Sequence, residues 1–259
     1  MLYEKLKKYT IEDAIKFEEK DRQFLALKRL YQNKKFSDEL YLFLIIANAL
    51  ISFQLSWKGE DYWEEFSINW EWKMKNGELN VVDIYSFFED LLRNGKNNRR
   101  FVDMKLKRLQ KILSEDFQKI VGYENNLIDW NKENNITSLI DVWLVWWEFY
   151  YKSMDKLAED LAKIMNQKKD AKTIVFAVKM FSYWARNVFW YLEKFPFDLM
   201  IPVDSRLENL YIVEVGRKFW RNLKKKEVVD FYYDLARKLN IPPLHLDAIL
   251  WVDYERFIK

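Results

Sequence analysis

Apolar residues recur every three or four positions along most of the chain, and no stretch alternates for long enough to make a strand. Thr10-Ile11-Glu12-Asp13 reads as a helix start, with a short amphipathic helix running to about Lys20. Asp21 opens a second helix through Leu25, Leu27 and Leu30, and Ser37-Asp38-Glu39 opens a third, LYLFLIIANALISF, ending at Phe53. That third segment is apolar on nearly every side, so it predicts a buried helix. A turn at Lys58-Gly59 leads into a helix bearing Trp63, and further helices are expected over 81–92, 99–113, 141–152, 154–165, 173–192, 205–219 and 227–239. Ile241-Pro242-Pro243 starts the last one, because proline tolerates the first helical position. The pattern predicts an all-α fold.

Composition narrows the chemistry. The 259 residues are half hydrophobic and 18% aromatic, with 12 Trp, which ensures a packed core. Only 5 Gly and 4 Pro fit long helices with few hairpin turns. With no Cys, disulfides, thiolate metal sites and cysteine nucleophiles are excluded. A single histidine, His245, excludes multi-histidine zinc sites, and the chain offers little for a Ser-His-Asp triad. The net charge of +3 is too small to announce a nucleic-acid partner by itself. The charged N-terminus lacks a signal-peptide core, and the 40–53 run is too short to cross a bilayer. Cytoplasmic location is expected, and the Lys/Glu-rich, Cys-free composition fits a thermophile.

Chemistry concentrates in NQKKDAKTIVFAVKM, residues 166–180. A polar turn over 166–169 feeds a helix expected to begin near Asp170, whose carboxylate can cap the first-turn N–H groups. Lys172 then falls in the first helical turn, where the helix dipole and the Lys168 and Lys169 cations disfavour its ammonium form. A free amine there is a nucleophile; the plainer reading is a surface lysine in a charged turn. RRFVDMKLKRLQKIL, 99–113, is a basic helix that reads as either a solvated face or a phosphate contact. In DVWLVWWEFYYK, 141–152, the spacing of Trp143, Trp146, Trp147 and Tyr150 is helical and reads as core.

Four stretches, ANALISFQLSWKGEDYWEEF (47–66), KDAKTIVFAVKM (169–180), FPFDLMIPVDSR (195–206) and IPPLHLDAILW (241–251), together resemble the archaeal 8-oxoguanine DNA glycosylase family. This is a branch of the helix-hairpin-helix base-excision glycosylases. The resemblance implies two packed helical subdomains, roughly 36–170 and 1–35 plus 171–259, with a helix-hairpin-helix motif and the active site in the cleft between them. It implies Lys172 as the catalytic lysine and Asp204 as the essential aspartate. Gln23, Trp63, Phe176, Lys179, Asp247 and Trp251 match positions at the pocket for the flipped base. The glycine-rich hairpin of the wider superfamily is absent, since Gln167–Lys172 contains no glycine.

The implied chemistry is coherent. A base must leave the stack and lie between flat side chains, such as Trp63, Phe176 and Trp251. Asp247 suits the N1–H and exocyclic amine of a guanine-type base, and Gln23 offers a donor and an acceptor. The Lys172 amine attacks the anomeric carbon, assisted by the Asp204 carboxylate, and β-elimination then nicks the strand. Neither metal nor cofactor is implied. The expected partner is DNA containing 8-oxoguanine, double- or single-stranded, bound by a monomer with no membrane association. The alternatives are a glycosylase for another damaged base and a non-catalytic helical nucleic-acid-binding module.

Overall fold

A computed structural model of the chain describes residues 2–76, 84–114, 139–216 and 223–258. These residues form fourteen helices and no strand. They are α1 (Leu2–Leu6), α2 (Ile11–Glu18), α3 (Arg22–Gln32), α4 (Asp38–Ile51), α5 (Gly59–Lys75), α6 (Ile84–Asn94) and α7 (Val102–Leu113). The second half adds α8 (Leu139–Lys152), α9 (Met154–Met165), α10 (Lys172–Phe189), α11 (Ser205–Glu214), α12 (Lys225–Leu239), α13 (Pro243–Val252) and α14 (Tyr254–Ile258). The all-α expectation holds. The start of the helix expected over 81–92, the end of that over 205–219 and the side chain of Trp143 lie outside the described residues.

Local chemistry sets several helix ends. Thr10 and Asp13 form a reciprocal capping box at the start of α2, satisfying donors that the helix itself cannot. Asp21 accepts the Gln23 N–H at 2.9 Å where α3 begins. Pro243 occupies the first turn of α13, where its missing N–H costs nothing.

The chain divides into two compact units, 1–24 with 194–259, and 25–193. The breaks therefore fall at 24/25 and 193/194, against the expected 35/36 and 170/171, and all of α10 belongs to the central unit. In the central unit the buried α4 packs along α10. Tyr41, in the first turns of α4, stacks on Trp184 of α10 with ring centroids 4.9 Å apart. Trp63, just past the loop that leaves α4, meets Phe176 near the start of α10. The two helices thus run antiparallel, and the loop after α4 lies at the Lys172 end of α10.

In the terminal unit, α2 lies on α13, and α12 packs against α1, α11 and α13. Leu6, Ala14, Leu210, Tyr232, Ile249 and Phe257 are among its buried core. Among the described residues no helix is long and apolar enough to cross a membrane.

Candidate active site

Helix α9 ends on Asn166, which adopts the left-handed conformation at φ 49°. Its Gln167 N–H then reaches back to the Ala162 carbonyl at 2.8 Å, a Schellman-type closure that satisfies the last carbonyls of α9. The Ala171 N–H donates to the Lys168 carbonyl at 3.0 Å, so Lys168–Ala171 is a β-turn. Asp170 is consumed inside that turn and does not cap α10, contrary to the sequence expectation. The N-cap is Ala171, with no side-chain cap bond, and α10 begins at Lys172. The first turn of α10 contains no acidic residue either. Lys172 therefore sits solvent-exposed at an uncapped, positive helix end. The Thr173 hydroxyl ties the helix start to the preceding turn by donating to Gln167 Oε1 at 2.9 Å.

Phe176 and Lys179 follow Lys172 at helical spacing on one side of α10. Phe176 is half-buried and meets Trp63 edge-on, with centroids 6.2 Å apart. Trp63 itself is fully buried, and its Nε1 lacks a hydrogen-bond partner among the described residues. Near Lys172 the ring that α10 leaves partly open is Phe176, with Trp63 packed against it. Lys179 is buried, its ammonium 5.4 Å from the Tyr183 ring centre. Arg186 takes the same ring at 5.4 Å.

The terminal unit carries the other candidates. The segment 194–204 delivers Asp204 to the start of α11, where it is the N-cap. Its Oδ1 accepts the N–H groups of Arg206 at 3.0 Å and Leu207 at 3.1 Å. Oδ2 takes no part in the cap. Two residues on, the Arg206 guanidinium lies 3.8 Å over the ring of Trp251, a cation–π contact that holds the half-buried indole. Asp247, one turn before Trp251 on α13, is buried. Tyr232 of α12 donates to the Leu207 carbonyl at 2.7 Å. Burial, then the charges of Asp204 and Asp247 among others, push its hydroxyl well above the usual tyrosine range. Gln23 is buried at the start of α3.

Sequence reasoning overlooked Arg206, although it stands inside the quoted FDLMIPVDSR, because an arginine next to a helix cap carries no local sign of what it stacks on. It also used His245 only to exclude chemistry. His245 is fully buried, with Nδ1 2.6 Å from Glu18 Oε1 of α2. The Phe195 N–H donates to its Nε2 at 3.2 Å. A backbone N–H can only donate, so Nε2 is the acceptor and Nδ1 carries the proton towards Glu18. The histidine thus joins α2, the segment leading to Asp204, and the helix bearing Asp247 and Trp251. His245→Leu should cost about 2–4 kcal/mol in urea unfolding, because it removes a buried partner of Glu18 and of the Phe195 N–H.

The basic helix α7 is not a uniform solvated face. Lys105 points inward and is fully buried, donating to Asn98 Oδ1. Burial, with the Arg100 charge, pushes it down to about 8. A cavity of about 490 Å³ between α5 and α6 is lined by Asp61, Glu64, Glu65 and Asp90 and holds none of the candidate residues. Its acidity suits neither phosphate nor nucleobase edges flanked by phosphate. Among the described residues no group of three or more His, Cys, Asp or Glu side chains is placed to hold a metal ion.

Comparison with known proteins identifies the family. The AGOG family model, described as N-glycosylase/DNA lyase, matches residues 3–257. The chain is 34% identical over 244 residues to an N-glycosylase/DNA lyase of Methanococcus maripaludis, covering 94% of this chain and 82% of the relative. It is 36% identical over 251 residues to that of Thermococcus kodakarensis, covering 96% and 81% respectively. The crystal structure of the 8-oxoguanine DNA glycosylase from Pyrobaculum aerophilum, complexed with 8-oxoguanosine, superposes with a TM-score of 0.71 at 26% identity, covering 96% of this chain and 84% of that one. With an exposed lysine opening α10, an aspartate capping α11 and a family match along almost its whole length, the chain belongs to the N-glycosylase/DNA lyase family.

Proposed function

We propose that this protein excises 8-oxoguanine from DNA and then cleaves the strand at the resulting abasic site, with Lys172 as nucleophile and Asp204 as its carboxylate partner. The observation that carries the reading is the start of α10, where Lys172 stands exposed at the positive end of the helix. The relative complexed with 8-oxoguanosine supports the choice of lesion. The α9–turn–α10 unit takes the part of the helix-hairpin-helix, with backbone from a glycine-free turn. The protein acts as a cytoplasmic monomer on its DNA substrate.

The chemistry runs in two stages. The neutral Lys172 amine attacks C1′ of the damaged nucleotide as the N-glycosidic bond breaks, and the base leaves with the bonding electron pair and takes up a proton. Asp204 stabilises the positive charge that develops on the sugar or accepts the proton released by the attacking amine. Ring opening yields a Schiff base between Lys172 Nζ and C1′. Loss of a C2′ proton then expels the 3′ phosphate by β-elimination, and water releases the lysine. Phe176, backed by Trp63, and Trp251 supply flat faces for the extruded base, and Lys179, Asp247 and Gln23 supply polar groups for it.

A panel of duplexes differing only in the lesion tests the substrate. Base release should be fastest from 8-oxoguanine; faster release of uracil or an alkylated purine would replace the substrate, and release of none would leave a non-catalytic DNA-binding module.

A further inference from the structure

We propose that Arg206 is a positioning residue for base excision, tying the carboxylate that serves the sugar to the ring that takes the base and so fixing the spacing between them. This role rests on the reading of Asp204 and Trp251 given above.

Arg206 is held at both ends. Its backbone N–H donates to Asp204 Oδ1 at 3.0 Å, and its guanidinium carbon lies 3.8 Å from the centre of the Trp251 ring. A separation of 3.8 Å is van der Waals contact, so the guanidinium lies over the middle of the indole and not beside its edge. The Arg186–Tyr183 and Arg237–Tyr233 pairs, at 5.4 Å and 5.6 Å, are looser. Asp204 opens α11 and Trp251 belongs to α13, and this one residue reaches from the first to the second.

The Asp204 end of the link is stiff. Asp204 Oδ1 also accepts the Leu207 N–H at 3.1 Å, and the buried Tyr232 of α12 donates to the Leu207 carbonyl at 2.7 Å. The first turn of α11 is thus fixed by its own cap and by a second helix. The Trp251 end needs support. Trp251 is half-buried and stands one residue before the end of α13, whereas Asp247, Ile249 and Leu250 of the same helix are buried. A partly open ring near a helix end keeps rotamer freedom, which must be given up when a base stacks on it. The guanidinium removes that freedom before the base arrives.

The same contact biases what the indole accepts. A cation against one face leaves the other face for a base. It also draws π-electron density towards itself, so the open face favours an electron-rich partner. Between guanine and 8-oxoguanine, the oxidised purine is the more electron-rich. Arg206 therefore acts on selectivity as well as on geometry, and it does both through Trp251.

The test uses 8-oxoguanosine, which has no phosphate, as the binding probe, and a lesion duplex for turnover. Arg206→Gln should weaken 8-oxoguanosine binding by about three- to tenfold and narrow its preference over guanosine. At saturating lesion duplex the same variant should slow single-turnover base release by about tenfold, because base and sugar are no longer held in register. Arg206→Lys keeps the charge without the plane and should fall between wild type and Arg206→Gln. In protein labelled with fluorinated tryptophan, the Trp251 signal, assigned by its loss in Trp251→Phe, should move in Arg206→Gln. An unmoved signal would mean that the indole is held without the guanidinium and would overturn the proposal. So would a nucleoside Kd within twofold of wild type: a lower Tm alone would then make Arg206 a structural residue, and a loss confined to duplex affinity and its salt dependence would make it a phosphate ligand. Trp251→Ala separates this role from the reading beneath it. If Trp251→Ala also leaves nucleoside binding unchanged, Trp251 is no base-stacking face and the pocket assignment fails; if it weakens binding while Arg206→Gln does not, only the role of Arg206 falls.

Discussion

Lys172→Gln should abolish the covalent adduct that borohydride traps between the protein and 8-oxoguanine DNA, and lower single-turnover base release by about 10⁴-fold or more, as removal of other nucleophiles does. Glutamine keeps much of the length and polarity of the side chain but has no lone pair able to form a Schiff base. Fold stability should change little, since Lys172 is an exposed residue at the first position of α10. Lesion binding should persist. Denaturing gel electrophoresis after borohydride treatment checks the adduct, and a variant that still becomes cross-linked would move the nucleophile to another lysine. Lys179 is then the one to examine, although it is buried against Tyr183.

Asp204→Asn is the second large effect, and the structure makes it unusually clean. Both cap bonds on α11 end at Oδ1, and an asparagine carbonyl oxygen accepts the same two N–H groups. The helix cap should survive, so Tm should stay near wild type. The charge is gone, however, and with it the group that takes a proton or steadies a cationic sugar. Base release should fall by about 10² to 10⁴-fold while lesion DNA still binds. Asp204→Ala gives the contrast, losing both the cap, worth about 1 kcal/mol, and the charge. If Asp204→Asn turned over at the wild-type rate, the residue would be a helix cap and nothing more.

These two variants also separate fold from chemistry in a way that His245→Leu does not. His245 is joined to Glu18 and to the Phe195 N–H inside the terminal unit, so its removal should lower activity and stability together. A loss confined to turnover belongs to groups whose polar atoms face outward.

Much of this molecule is legible from local signals. The 3.6-residue apolar period, the scarcity of glycine and proline, and Thr10, Asp21 and Pro243 at helix starts dictate an all-helical chain, because helix hydrogen bonds and caps join residues close in sequence. The position of Lys172 in the first turn of its helix and of Asp204 at the mouth of another are legible for the same reason. What a side chain touches across the fold is decided by partners far along the chain. Asp170 looked like a cap, yet the Lys168–Ala171 turn claimed its backbone and started α10 at Lys172. Lys105 had the pattern of a solvated basic face and lies buried beneath a loop. Trp63 is wholly covered, so Phe176 is the ring left open beside it. His245 meets Glu18, 227 positions away, and Arg206 covers Trp251. Periodicity states which face of a helix is apolar; only packing, which sums many weak contacts between distant segments, selects the neighbour.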